Sequence, residues 1–519
     1  MNAPERPPAF TPDQAPSPHD PPVSLPAHPA PTSPPPAPDD ITAMDALSLS
    51  RQIATRQLSC QEVMSAYLAR IDQVNPGYNA IVARRDTDAL LRQAHEYDQE
   101  LAAGRSRGWL HGLPMAPKDI TAVAGMVTTR GSPLFADNIT ATDSLQVARQ
   151  RQEGAILIGR TNVPEFGLGS HTFNDVYGAT RNALNPALSA GGSSGGAAVA
   201  VALNLLPVAD GSDMMGSLRN PAAFNGVWGY RPSFGRIPAI DMPDLFIHQL
   251  VVDGPIGRTP LDCARLLATQ AGHDPRSPLA LAGDGSEFLA LAELDSGRMA
   301  ARPMVGKRIG WLGDLDGYLA MEPGLMPVVQ NVLADFEALG AIVEPIALGF
   351  APERLWSSWL ALRQCLQGGN LLPLALDPAQ RRRIKPEAQW EAQQAQLGSM
   401  ADLFQASADR TAFFQAMLGL FAKVDFLALP SAQVFPFPIT QRWPAQIAGR
   451  TMDTYHRWME VVLPATMAGL PTMSVPAGLE PVDGWPTRIA GLQLIGRPQA
   501  DVAVLQASIQ LHLASRSRA

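Results

Sequence analysis

The 519-residue sequence has only 3 cysteines, Cys60, Cys263 and Cys365, far apart and odd in number. That excludes a disulfide framework and a cysteine-built zinc site. Long apolar runs are missing as well. The longest, Ala197 to Ala209, is broken by Asn204 and Pro207 and falls short of the roughly 20 residues a membrane helix needs. No basic block offsets the net charge of −8, which argues against nucleic acid as a partner. No apolar stretch follows a basic start in the first forty residues, so no secretory leader is expected. The nine histidines do not cluster at metal spacing, and there is no His-Glu-x-x-His helix or phosphate loop ending in Lys-Ser or Lys-Thr. These absences predict a soluble cytoplasmic protein with no metal, no membrane and no nucleic acid.

Lysine is nearly absent too. Of 40 basic residues only Lys118, Lys307, Lys385 and Lys423 are lysines. Arginine keeps its proton in a protein, whereas a buried lysine can lose it. Lys118 lies in the apolar segment Pro114-Met115-Ala116-Pro117-Lys118-Asp119-Ile120. It reads either as a strand-end lysine pairing with Asp119 or facing water, or as a buried base.

Apolar residues make up 46 % of the chain, enough for a sizeable core. Residues 1–40 hold 15 of the 48 prolines and little core material, which predicts a disordered tail. Residues 41–515 then read as one domain. Ser59 and Glu62 form a helix-start capping box, followed by Val63, Tyr67, Leu68 and Ile71 at helical spacing. Helices are expected at 88–103, 144–152, 325–339 and 501–513. Strands are expected at 155–158, 308–312, 341–343, 424–429 and 472–475. This alternation predicts an α/β fold, a large mixed central β-sheet with helices on both faces. The helix-rich stretch 350–420, with Trp356, Trp359, Phe404, Phe413 and Phe414, reads as a cap over a site or as extra core.

Two loops rich in glycine and serine stand out. One is Gly191-Gly192-Ser193-Ser194-Gly195-Gly196; the other runs from Gly211 to Pro221 as Gly-Ser-Asp-Met-Met-Gly-Ser-Leu-Arg-Asn-Pro. Each leads into a predicted helix, so its amides suit an anion or a developing oxyanion. Each alone reads equally as a tight turn. Gly191, Ser193 and Gly195 also fit Gly-x-Ser-x-Gly, but the nucleophile elbow needs a strand before it, and Asn185 to Ala190 is a poor one.

Taken together, these pieces resemble the amidase signature family. Lys118 in Pro-Met-Ala-Pro-Lys-Asp precedes Ser193 by 75 residues, and Ser217 follows Ser193 by 24. The flanks Gly159-Arg160-Thr161-Asn162, Gly226-Val227-Trp228-Gly229-Tyr230-Arg231-Pro232 and Gly491-Leu492-Gln493-Leu494-Ile495-Gly496-Arg497-Pro498 agree, so the resemblance covers roughly 41–515. It implies Ser217 as nucleophile, Ser193 as a bridging cis-serine and Lys118 as base, with no cofactor. It also implies an oxyanion hole from the amides of Met214, Met215, Gly216 and Ser217. Ser194, Asp213 and Arg219 would brace the loops, and Leu168 would contact the pocket. A homodimer is the family's habit.

The chemistry is coherent. A serine hydroxyl attacks only when a base takes its proton, and lysine serves as that base once desolvation lowers its pKa. The expected reaction is hydrolysis of a small-molecule carboxamide through an acyl-enzyme, with esters or carbamates as further substrates. One residue departs from the family pattern, which has glycine where this chain has Met215. Either the two methionines point into the core and leave the amides unchanged, or one narrows the acyl pocket in favour of aromatic or bulky apolar substrates. A positive φ at Met215 would be strained. The alternatives are a glutaminase-type subunit of a tRNA-dependent amidotransferase and an inactive scaffold.

Overall fold

The computed structural model describes residues 17, 22–247, 249–292, 294, 304–482 and 485–516, the side chains of 479–487 and 516 excepted. Its centre is an eight-stranded sheet. In chain order the strands are β1 (Val208–Asp213), β2 (Trp228–Arg231), β3 (Val252–Gly257), β4 (Arg308–Trp311), β5 (Ile342–Pro345), β6 (Phe426–Pro430), β7 (Thr472–Val482) and β8 (Trp485–Gly496). Their spatial order is β1-β3-β2-β7-β8-β6-β4-β5. β4 pairs in parallel with β5 and with β6; the remaining pairs are antiparallel. The sheet is therefore mixed, as the sequence predicts.

Strand alternation shows that both faces are covered. Phe426 and Ala428 of β6 pack with Leu267, Val329 and Ile509, whereas Leu427 and Leu429 pack with Trp359, Met417 and Leu463. Successive side chains of a strand point to opposite faces, so each face has its own helices. A third core, around residues 46–209, joins the N-terminal helices to the serine loops.

Local signals behave as predicted where they are strong. The Ser59 hydroxyl accepts from the Glu62 amide at 3.0 Å, and the Glu62 carboxylate accepts from the Ser59 amide at 2.8 Å. They open helix α1 (Cys60–Tyr78). Helices also form at Thr87–Ala102, Leu145–Gln152, Leu325–Ala338 and Asp501–Arg516. The expected strand at 155–158 shortens to Ile156–Leu157, which pairs with Pro114–Met115 outside the large sheet.

The tail expectation needs correction for residues 22–39. They have no helix or strand, yet Val23 is buried against Phe173, Ala179 and Ile439. Ser24 donates to Asp175 at 2.5 Å, and the Pro36 carbonyl accepts from Arg70 at 2.6 Å. Proline restricts the free chain in advance, so laying this segment on the surface costs little entropy. Residues 1–16 and 18–21 of the expected tail lie outside the described residues.

Between 352 and 421 the longer helices are α2 (Pro352–Arg363), α3 (Gly369–Leu376), α4 (Pro386–Leu397) and α5 (Met400–Phe421), with a single turn at Pro378–Arg381. A π-helical turn, Gln364–Gly368, joins α2 to α3. Trp356, Trp359 and Phe413 are buried in a core, Phe414 is half-buried and Phe404 is exposed. This region adds core and, as shown below, one wall of a cavity.

Candidate active site

Lys118 follows the short strand Pro114–Met115 and bridges to Thr161. Its side chain is 0 % exposed. Asp119 is not its partner, because that carboxylate faces Arg160 and Thr129. The lysine Nζ instead donates to Ser193 Oγ at 2.8 Å and to Ser212 Oγ at 3.0 Å. Burial pushes its pKa down to about 7, against the pull of Asp253, Asp213 and Asp210. An amine poised there is substantially neutral at neutral pH and can accept a proton.

The Gly192–Ser193 peptide is cis. After it comes a helix, Gly195–Ala202, that begins in close packing: a Cβ on Gly196 would sit 2.7 Å from the Ala80 carbonyl oxygen. The tight glycine pair is therefore a packing requirement as well as a loop signal. The two serine loops are joined directly, since the Ser194 amide donates to the Ser217 carbonyl at 3.2 Å. Ser194 Oγ also lies 3.4 Å from the Ser212 amide and carbonyl, tying its loop to β1.

β1 ends at Asp213, and a turn of five residues leads to the helix Arg219–Asn225. Asp213 braces this turn. It accepts from Arg219 at 2.7 and 3.0 Å and from Arg231 at 3.2 Å, with all three side chains buried. Burial alone would raise its carboxyl; the two guanidiniums and the Leu218 amide hold it well below the usual carboxylate range. Arg219 in turn reaches Gln493 at 2.6 Å, Thr466 at 2.8 Å and the Val462 carbonyl at 2.9 Å. Asp213 and Arg219 thus pair inside the turn. Arg231 and Gln493 complete the network from flanks already visible in the sequence, although nothing local marks their role.

Two expectations change. The Gly216 amide donates to Asp213 at 3.0 Å, so it is engaged inside the turn. That removes Gly216 from the amides expected to form an oxyanion hole. Leu168 is buried away from the cavity against Leu371 and Ala375, and its carbonyl accepts from Lys385 at 2.7 Å. Its neighbours Gly167 and Gly169 form the wall instead.

Met215 raises no backbone conflict. Gly216, not Met214 or Met215, takes the positive φ, at 80°. Both methionines line a cavity of about 610 Å³ together with Ser193, Ser212 and Ser217. Among the described residues the hydrogen bonds link Lys118 to Ser193 but not Ser193 to Ser217, which sits half-buried on the cavity wall. The far wall comes from the helix-rich region through Arg363, Gln367, Asn370, Leu371 and Leu374. Arg363 donates to Met214 Sδ at 3.1 Å, to Tyr455 at 2.8 Å and to Glu391 at 2.6 Å. Sequence reasoning offers this stretch as a cap over a site but names none of these residues, because they are far from the serine loops along the chain.

Among the described residues no group of three or more His, Cys, Asp or Glu could hold a metal ion, and no helix is long and apolar enough to cross a membrane.

A buried lysine on a cis-serine, beside a second serine loop under a mixed sheet, is the architecture of the amidase signature enzymes. The chain belongs to the amidase family, whose profile matches residues 62–505. It is similar to an acylamidase of Rhodococcus erythropolis, 33% identical over 467 residues, covering 89% of this chain and 94% of the relative. It is also similar to a glutamyl-tRNA(Gln) amidotransferase subunit of Acidothermus cellulolyticus, 32% identical over 504 residues, covering 92% of this chain and 96% of that one. Among solved structures, a bacterial aryl acylamidase of the amidase signature family superimposes with a TM-score of 0.81 at 30% identity, covering 91% and 96% of the two chains.

Proposed function

We infer that this amidase-family enzyme hydrolyses carboxamides through an acyl-enzyme on Ser217. The observation that carries the reading is the buried Lys118 amine 2.8 Å from Ser193, on a cavity that Ser217 shares. Neutral Lys118 takes the Ser193 proton while Ser193 takes that of Ser217. The Ser217 Oγ attacks the amide carbon, and the substrate's carbonyl oxygen gains charge facing the amides of Met214, Met215 and Ser217. Collapse breaks the C–N bond, and the proton returns through Ser193 to the leaving amine. Water then attacks the ester by the same route and frees the acid.

The methionines favour an apolar or aromatic acyl or amine group, since polarizable thioethers pack well against rings. The acylamidase and aryl acylamidase relatives support that class. Esters and carbamates fit the same attack. A second reading, the glutamine-hydrolysing subunit of a tRNA amidotransferase, is supported by the amidotransferase relatives. Measuring aniline release from acyl anilides and ammonia release from glutamine, with the purified chain alone, separates the two. Anilide turnover without glutamine turnover supports the amidase. Glutamine turnover that needs an added partner overturns it.

A further inference from the structure

The cavity wall holds a charge that the chemistry above does not use. Arg130 lines the cavity and is exposed. Its backbone is fixed on both sides: its amide donates to the Asp119 carbonyl at 2.9 Å, and its carbonyl accepts from the Phe166 amide at 2.7 Å. Asp119 is the residue after Lys118, so Arg130 is anchored one residue from the base. Its φ is 54°, a left-handed conformation that a long side chain seldom adopts and that points to a function.

The side chain has an aromatic support. Its guanidinium rests over the Phe135 ring, 5.2 Å from the centroid. Phe135 meets Phe166, another wall residue, edge to face at 6.2 Å. Among the described residues no carboxylate pairs with Arg130. The other arginine on the wall, Arg363, is compensated by Glu391. Asp241 is the lining carboxylate, and it is not paired with Arg130. The interior between these charges is apolar, with Met214, Met215, Leu371, Leu374 and Met459.

We propose that Arg130 is a specificity residue that selects amides whose apolar body ends in a carboxylate. This rests on the hydrolase reading and names its substrate class. A planar guanidinium resting on an aromatic ring presents two parallel hydrogen bonds to a carboxylate, and the ring contact removes part of the rotamer freedom that binding would cost. The methionine floor takes the apolar body, and the rim takes the charge.

The test uses the full chain and two matched substrate pairs. On the amine side, 4-acetamidobenzoate is set against 4-nitroacetanilide, in which a neutral nitro group replaces the carboxylate. On the acyl side, N-phenylsuccinamate is set against butyranilide. Each substrate is compared between wild type, Arg130→Gln and Arg130→Lys, so leaving-group differences cancel. In one pair, Arg130→Gln lowers kcat/KM for the carboxylate by about tenfold or more and moves the neutral partner less than about twofold. Arg130→Lys restores part of the loss, and added salt shrinks the difference. Protection against fluorophosphonate labelling by the same four compounds gives the comparison without turnover. If both members of each pair move together, or neither moves, the assignment is wrong. If the wild type turns over none of them and takes no label, the hydrolase reading falls and this one falls with it.

Discussion

On one side of the cavity, Lys118 lies 2.8 Å from Ser193 and 3.0 Å from Ser212, and Asp213, Arg219 and Arg231 brace the neighbouring turn with no exposure to water. On the other side, Arg363 at the end of α2 and Gln367 in the π-helical turn that follows reach the sulfur of Met214, at 3.1 and 3.8 Å. The first wall is built of buried polar and charged groups that hold one another. The second uses thioethers and long side chains, which repack at little cost. On the proposed mechanism the proton transfers belong to the first wall, and the apolar part of the substrate meets the second. Changes on the first wall should cost rate or stability, and changes on the second should alter preference.

The largest effect is expected from Lys118→Met. Removing a general base lowers kcat by about 10²- to 10⁴-fold, with KM little changed, in steady-state kinetics on an acyl anilide. A variant that keeps most of its kcat would detach the first wall from the chemistry. Asp213→Asn follows. It leaves Arg219 and Arg231 buried without their carboxylate, at a cost of about 3–5 kcal/mol in denaturant unfolding. Unchanged stability would mean that the brace is not what holds the turn.

Third is the pH profile. Lys118 must be neutral to act, and burial brings its pKa down to about 7. kcat/KM should therefore rise through pH ~7 and fall about tenfold per unit below it, as the amine takes up its proton. A profile flat from about pH 5 to 9 would exclude this base. The smallest effect belongs to the second wall. Met215→Gly should shift the benzoyl-to-acetyl anilide preference by about tenfold, the scale of one methylene in an apolar pocket. An equal loss on both substrates would place Met215 with the first wall.

Legibility in the sequence follows the same division. The capping box at Ser59 and Glu62, the alternating strands and helices, and the Lys118, Ser193 and Ser217 spacing are carried by residues close together or by a shared pattern. The sheet's mixed character is readable, but β1 is not. Its Asp210, Gly211, Ser212 and Asp213 look like a loop, and only pairing with β3 makes them a strand. Trp485–Gly496 escapes notice as a strand because its partner β7 is an adjacent hairpin arm with irregular register. Leu168 comes from the family resemblance and not from a local signal, and nothing in the sequence marks that its carbonyl is taken by Lys385, 217 positions away. The Arg363 wall leaves no local trace, because it meets Met214 across 149 positions of chain.

The most direct test of the central claim is the intact mass of the purified protein after exposure to a fluorophosphonate, with Ser217→Ala and Lys118→Ala alongside. The account predicts one adduct on the wild type, none on Ser217→Ala and slow labelling of Lys118→Ala. A folded wild type that takes no adduct, or a Ser217→Ala variant that labels as fast as wild type, would contradict it.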